Sequence, residues 1–158
     1  MSGVTVTGLT IASLIEQKDL DLGVSHWMHI DQPRIDTFAE ITEDPQWIHV
    51  DPERSADGPY GTTIAHGYLT MSLIAPVLNE LFVVDDAVAS INYGANKIRF
   101  PATVPVGSRL RGRLTLVGAE PVAGGVQASL RVAMEIEGGD KPACVAELLI
   151  RLRGDDDQ

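Results

Sequence analysis

An α+β domain, in which a curved antiparallel sheet wraps around a central apolar helix, is the fold class this sequence predicts. Three observations predict it. Apolar side chains recur at every second position through the second half of the chain, as in strands with one face on a core and the other in water. Glycine pairs, Gly124-Gly125 and Gly138-Gly139, fall between those runs, where hairpin turns need positive φ. Residues 66–82 are apolar on nearly every side, as in a helix enclosed by protein. A chain of 158 residues, 44% hydrophobic, suits one domain with a full core.

The first half reads as helical and loop-rich. Pro33 to Thr42 carries Ile35, Phe38, Ala39 and Ile41 near helical spacing, with Pro33 suited to a first turn. Asp51-Pro52 pairs an N-cap residue with a proline at the first helical position, opening a short turn through Ser55. From His66 to Phe82 the pattern predicts the enclosed helix, kinked at Pro76 and reaching water at Asn79-Glu80. A strand over Ala89 to Phe100 ends at Pro101.

Three more strands follow. In the first, Leu110, Gly112, Leu114 and Leu116 oppose Arg109, Arg111, Arg113 and Thr115. In the second, Val126, Ala128, Leu130, Val132, Met134 and Ile136 share the inner face. In the third, Cys144 to Leu152, Ala146, Leu148 and Ile150 point one way and Glu147 and Arg151 the other. The acidic tail, 154–158, is expected to fray.

Charge and composition exclude several function classes. The net charge of −10 is made of −11 in residues 1–86 and +1 in the rest, and no basic stripe offers itself to a polyanion, so nucleic acid is not an expected partner. No apolar run is long enough to span a membrane and no leader pattern is present, so the expectation is a soluble, cytoplasmic protein. Cys144 sits alone in an alternating segment and reads as a buried thiol. The bases Lys97, Arg99, Arg109, Arg111, Arg113, Arg131, Arg151 and Arg153 read as a solvated outer sheet face, or as contacts to a nucleotide phosphate or an acidic carrier if the fold gathers them.

Two segments carry possible chemistry. In the first, Asp44 and His49 stand five residues apart in a loop stiffened by Pro45 and Trp47, so a carboxylate and an imidazole can share one water as acid and base. A purely structural role for the two also stays open at this point. In the second, Gly61-Thr-Thr-Ile-Ala-His-Gly67, the apolar helix begins at His66-Gly67, where unpaired N–H groups favour negative charge and Gly67 admits close approach. Alternatively Gly67 only gives a neighbouring strand room. His66 either lines the site or supports the catalytic loop, and Asn96 is placed to brace that loop across the sheet. His26 and His29 lack a third ligand of matching type nearby, so no metal is expected.

These segments resemble the MaoC-like, (R)-specific enoyl-thioester hydratases and dehydratases, in particular their nodulation-protein-N-like branch. The resemblance runs from about Val24 to Arg153 through three blocks in order: Asp44-Pro-Gln-Trp-Ile-His-Val-Asp-Pro-Glu-Arg54, Gly61 to Gly67, and Ile91-Asn-Tyr-Gly-Ala-Asn-Lys-Ile-Arg-Phe-Pro101. It implies a single hot-dog domain over 1–158, a homodimer, and active sites near the subunit interface. It also implies that Asp44 and His49 bind the attacking water, Asp44 taking its proton and His49 delivering one to C2 in a syn addition, with Gly67 as oxyanion donor. Gln46 stands where the wider family has Asn and Trp47 where it has Pro, so Gln46 is a loop-support candidate; Ala75 stands where some members carry an active-site Ser. No cofactor is implied beyond the coenzyme A or phosphopantetheine that arrives on the acyl thioester.

Two other readings of the same fold stay open on sequence alone. One is a subunit that binds acyl thioesters without chemistry; the other is a thioesterase, which usually places an acid on the central helix, where this chain offers only Glu80.

Overall fold

The computed structural model describes Val6 and residues 8–155; the rest of the expected frayed tail, 156–158, lies outside the described residues. Among the described residues six helical and six extended elements follow one another: α1 Ile11–Leu14, β1 Leu20–Val24, β2 Met28–His29, α2 Gln32–Thr42, α3 Trp47–Val50, α4 Pro52–Ala56, α5 Gly67–Ser72, α6 Ile74–Leu81, β3 Ala89–Arg99, β4 Arg109–Val122, β5 Gly125–Ile136 and β6 Cys144–Arg153. All strand pairs are antiparallel, in the order β1-β4-β5-β6-β3, with β2 continuing the edge of β4 beyond β1.

The alternation read from the sequence is the core of the sheet. Leu110, Leu114 and Leu116 on β4, Val126 to Met134 at alternate positions on β5, and Cys144 to Leu152 at alternate positions on β6 are all buried. A single inner face forms because each of these strands has a period of two and pairs in register with the next. At Gly112 that face comes so close to α6 that an added Cβ would lie 2.5 Å from both Val77 methyls. Glycine is what lets the helix seat there. Burial pushes the Cys144 thiol up to about 11, so it is an inert core group.

Three expectations need correction. The apolar segment is two helices, not one kinked at Pro76: it breaks at Leu73 (φ −73, ψ 0) because a proline removes the hydrogen bond to the carbonyl four residues back, that of Ser72, and clashes with it. Nor is it enclosed on every side. Ile74, Val77 and Leu81 are buried against the sheet, but Tyr68 is 70% exposed and Met71 and Leu78 are only half-buried. Finally, the first half contains β1 and β2, which the pattern did not suggest; β1 is interrupted by a register shift between Asp21 and Gly23 and β2 has two residues, too short to show a period.

Candidate active site

The catalytic loop of the sequence reading is built by two helix ends. α2, capped by the Asp31 carboxylate, stops where Glu43 takes a left-handed φ of 57 and reverses the chain. Asp44 follows with its N–H donated to the Ala39 carbonyl at 3.0 Å. Pro45 and Gln46 then lead into α3, one helical turn where an open loop was expected, and the His49 N–H donates to the Gln46 carbonyl at 2.9 Å. Gln46 therefore supports the turn through its backbone, its side chain making no cap bond. Asp51 caps α4 by accepting from the Arg54 N–H, with Pro52 in its first turn, as the sequence indicates.

His49 is buried, and its position is fixed from three directions. Its Nδ1 lies 2.6 Å from the Ile64 carbonyl oxygen, which can only accept, so Nδ1 carries the hydrogen and Nε2 is left with a lone pair. Ile64 is itself held, because its N–H donates to the Ile48 carbonyl and its neighbours Thr63 and Ala65 bond to Val106 and Val104. Gln32 completes the frame: its Nε2 donates to the His49 carbonyl (2.7 Å) and to Asp36 (2.8 Å), while its Oε1 accepts from buried Thr63 (2.6 Å). Sequence reasoning missed Gln32, Thr63 and the Ile64 carbonyl, since this network exists only once three distant segments meet.

His66 joins the pair. Its ring stacks on that of His49 at 3.8 Å between centroids and 24° between planes, and its Nε2–H donates to the Asp44 backbone carbonyl at 3.0 Å. Ligand atoms of Asp44, His49 and His66 lie within 4.8 Å of one another, close enough for one water to bridge two of them. A metal is a poorer fit, because imidazole lone pairs lie in the ring planes and two stacked rings do not aim theirs at one ion about 2.1 Å from each. Burial, first of all, pushes the His49 imidazole below its ordinary value, and the neighbouring His66 adds to this; the bond to Ile64 and the Asp44 carboxylate act the other way without overcoming it.

The remaining candidates divide. Gly67 opens α5 directly after His66, and an added Cβ there would lie 3.3 Å from the Phe100 ring. Room for the end of β3 is thus one use of this glycine; its N–H points along the helix axis, a different direction from its Cα hydrogens. Asn96 does not brace the loop: it is exposed, in an irregular stretch of β3 between Ala95 and Ile98, and no hydrogen bond of its side chain is seen among the described residues. His26 pairs with Glu80 at 2.6 Å and His29 is exposed on β2, so neither joins a ligand cluster with the other, and Glu80 is engaged at the end of α6 away from Gly67.

The bases are scattered in function. Arg111 and Arg113 grip Glu135, Arg109 meets Glu137, and Arg151 bonds Gln127 over the Tyr93 ring, as a solvated outer face would have it. Lys97, Arg99 and Arg131 share a groove of about 290 Å³ with Glu147. Two apolar grooves flank the central helices. One of about 430 Å³, including Arg34, runs between α2 and α5 past Phe38, whose ring packs on His66; the other, of about 440 Å³ and with no charged residue among the described residues that line it, lies between α5, α6 and β3.

A helix-backed antiparallel sheet with this site is the hot-dog architecture, and it superposes on an unliganded R-hydratase from Pseudomonas aeruginosa with a TM-score of 0.76, at 20% identity, over 93% of this chain and 87% of that one. The family model for the MaoC like domain matches residues 16–136, so the chain belongs to the MaoC-like family. Among relatives, 3-hydroxyacyl-thioester dehydratase Z of Mycobacterium tuberculosis is 48% identical, covering 90% of this chain and 95% of its own length. Nodulation protein N of Rhizobium leguminosarum bv. viciae is 37% identical over 93% of both.

Proposed function

We propose that this protein is an enzyme that adds water to a trans-2-enoyl thioester to give the (R)-3-hydroxyacyl thioester, and catalyses the reverse dehydration. The observation that carries the reading is the approach of the Asp44 carboxylate and the His49 imidazole in one frame, beside the head of α5. The 48% identical dehydratase supports it, and its name gives the substrate class. Engagement of Glu80 by His26 weighs against the thioesterase reading.

The protonation state refines the roles implied by resemblance. An imidazole held neutral, with Nδ1–H committed to Ile64, offers a lone pair at Nε2 and has no proton to give C2 until it takes one. In hydration, Asp44 aligns the water, His49 Nε2 takes its proton as the oxygen bonds to C3, and the same proton passes to C2. Asp44 steadies the transient imidazolium. In dehydration Nε2 takes the C2 proton and returns it to the departing hydroxyl, so the protein ends unchanged in both directions. One carrier on one face of the double bond gives syn stereochemistry. The Gly67 N–H would hold the thioester oxygen as it gains charge. The acyl chain is assigned to the uncharged groove beside β3, and coenzyme A or phosphopantetheine enters only as part of the substrate.

The expected assay result is hydration of crotonyl-CoA, followed by loss of enoyl absorbance, that Asp44→Asn and His49→Ala each reduce by about 10² to 10⁴. Folded variants that keep wild-type rates would refute the assignment.

A further inference from the structure

His66 has more contacts with the machinery than packing requires, and one feature that packing alone would avoid. It is 3% exposed, and its Nδ1 is sealed from solvent without a hydrogen-bond partner among the described residues. An unpaired buried ring nitrogen is unfavourable, and an apolar ring of the same size would not incur it. The other nitrogen is where the gain lies, because Nε2–H is the donor to the Asp44 carbonyl.

That bond closes a clamp on Asp44. Its carboxylate is half-exposed and makes no side-chain hydrogen bond among the described residues, lying 4.0 Å from His66 Nε2 and within 4.8 Å of the His49 ring, so its aim is set by its backbone. The backbone is held by Ala39, which accepts the N–H, and by His66, which donates to the carbonyl. The face of the same imidazole sets the plane of His49 while Phe38 backs it at 5.0 Å, and the next residue along is Gly67. One side chain thus touches both members of the pair and leads directly into the helix head.

We propose that His66 is a positioning residue: its Nε2–H fixes the backbone at Asp44 and its ring fixes the plane of His49, so that the carboxylate and His49 Nε2 meet the same water. The inference rests on the reading of Asp44 and His49 as the reacting pair. His66 is not a proton carrier, since Nε2–H is committed and Nδ1 has no access. The titratable groups facing His49 are Asp44 from its own loop and His66 from the head of α5, with Asp36 of α2 reaching it only through Gln32.

Three substitutions separate the two functions of the ring. His66→Gln can place an amide N–H near the Nε2 position without a ring, His66→Phe keeps a ring without the donor, and His66→Ala lacks both. Expected for Ala is a fall in kcat of about 10²-fold, the scale of a reacting group set out of line, with KM for crotonyl-CoA changed less than about threefold; Gln and Phe each recover part of kcat. In ¹⁵N NMR the His49 side chain should show hydrogen on Nδ1 and not Nε2 in the wild type, and lose that single pattern in His66→Ala. Wild-type kcat and an unchanged His49 spectrum in the folded variants would overturn the proposal, and so would equal losses in all three that only track melting temperature. Because the NMR readout needs no substrate, an altered His49 spectrum alongside a wild type lacking hydratase activity would remove the proposed function and leave the positioning.

Discussion

At the scale of single residues, the decisive quantity is the protonation of His49. Its imidazole binds a proton less readily folded than unfolded, so as pH falls below about 6.5 the unfolded chain takes up the proton first. The contribution of this group to stability is therefore complete above 6.5, declines as pH drops toward the folded value, and levels off below it. The neutral base persists over the same interval, so the acid limb of kcat/KM should lie below 6.5, at the midpoint of the His49 NMR titration. A midpoint above 6.5 would mean that Asp44 and Ile64 outweigh burial, contrary to the geometry. The meeting of Asp44 with His49 and the helix start at Gly67 were legible in the sequence, because the first two lie in one short segment and all three match a family's blocks. Gln32 and Thr63 were not, because an amide and a hydroxyl 31 residues apart along the chain carry no local signal. Asn96 misled for the converse reason: a polar residue on a strand predicts a face, and the irregular pairing of β3 changes which face that is.

At the scale of elements, strands that bury one face and wet the other announce themselves by period, so β5 and β6 were readable almost to the residue. β4 was readable as far as Leu116 and runs on to Val122, past the register shift between Leu116 and Gly118 where the alternation stops. The central helices were readable in composition but not in their break, which depends on how the turn before Pro76 relaxes. At Gly112 sheet and helix are in close contact. Replacing it with Ala puts a methyl within 2.5 Å of the branched, buried Val77, which cannot swing clear. A loss of about 1–3 kcal/mol, seen as a Tm lower by several degrees, is expected. The groove between α5, α6 and β3 gives a test that leaves stability aside. Ala75 lines it, so Ala75→Leu should lower kcat/KM for long trans-2-enoyl-CoA chains while sparing crotonyl-CoA. A uniform effect along the chain-length series would move the acyl chain to the groove beside α2.

At the scale of the whole molecule, β3 is the element that a single chain leaves unexplained. It is eleven residues long and, among the described residues, hydrogen-bonded along one edge only, to β6, yet eight of its residues are exposed, including Ile91 at 44% and Tyr93 at 56%. A long free edge that exposes Ile91 and Tyr93 invites another strand, and a second copy of the same edge satisfies both at once under two-fold symmetry. Such a partner would also approach the half-covered face of α5 and α6, where Tyr68, Met71 and Leu78 remain open and the acyl groove lies. We therefore expect a homodimer joined through β3, measured as twice the 17.0 kDa chain mass by light scattering after size-exclusion chromatography. Its Tm should rise with protein concentration, because association stabilises only the folded chain. Ile91→Lys combined with Tyr93→Lys should shift the equilibrium to monomer and weaken turnover of long-chain substrates before short ones, since the groove loses its outer cover. A wild-type protein that stays monomeric at high concentration with full activity would show that the exposed edge is tolerated, and the site complete, within one chain.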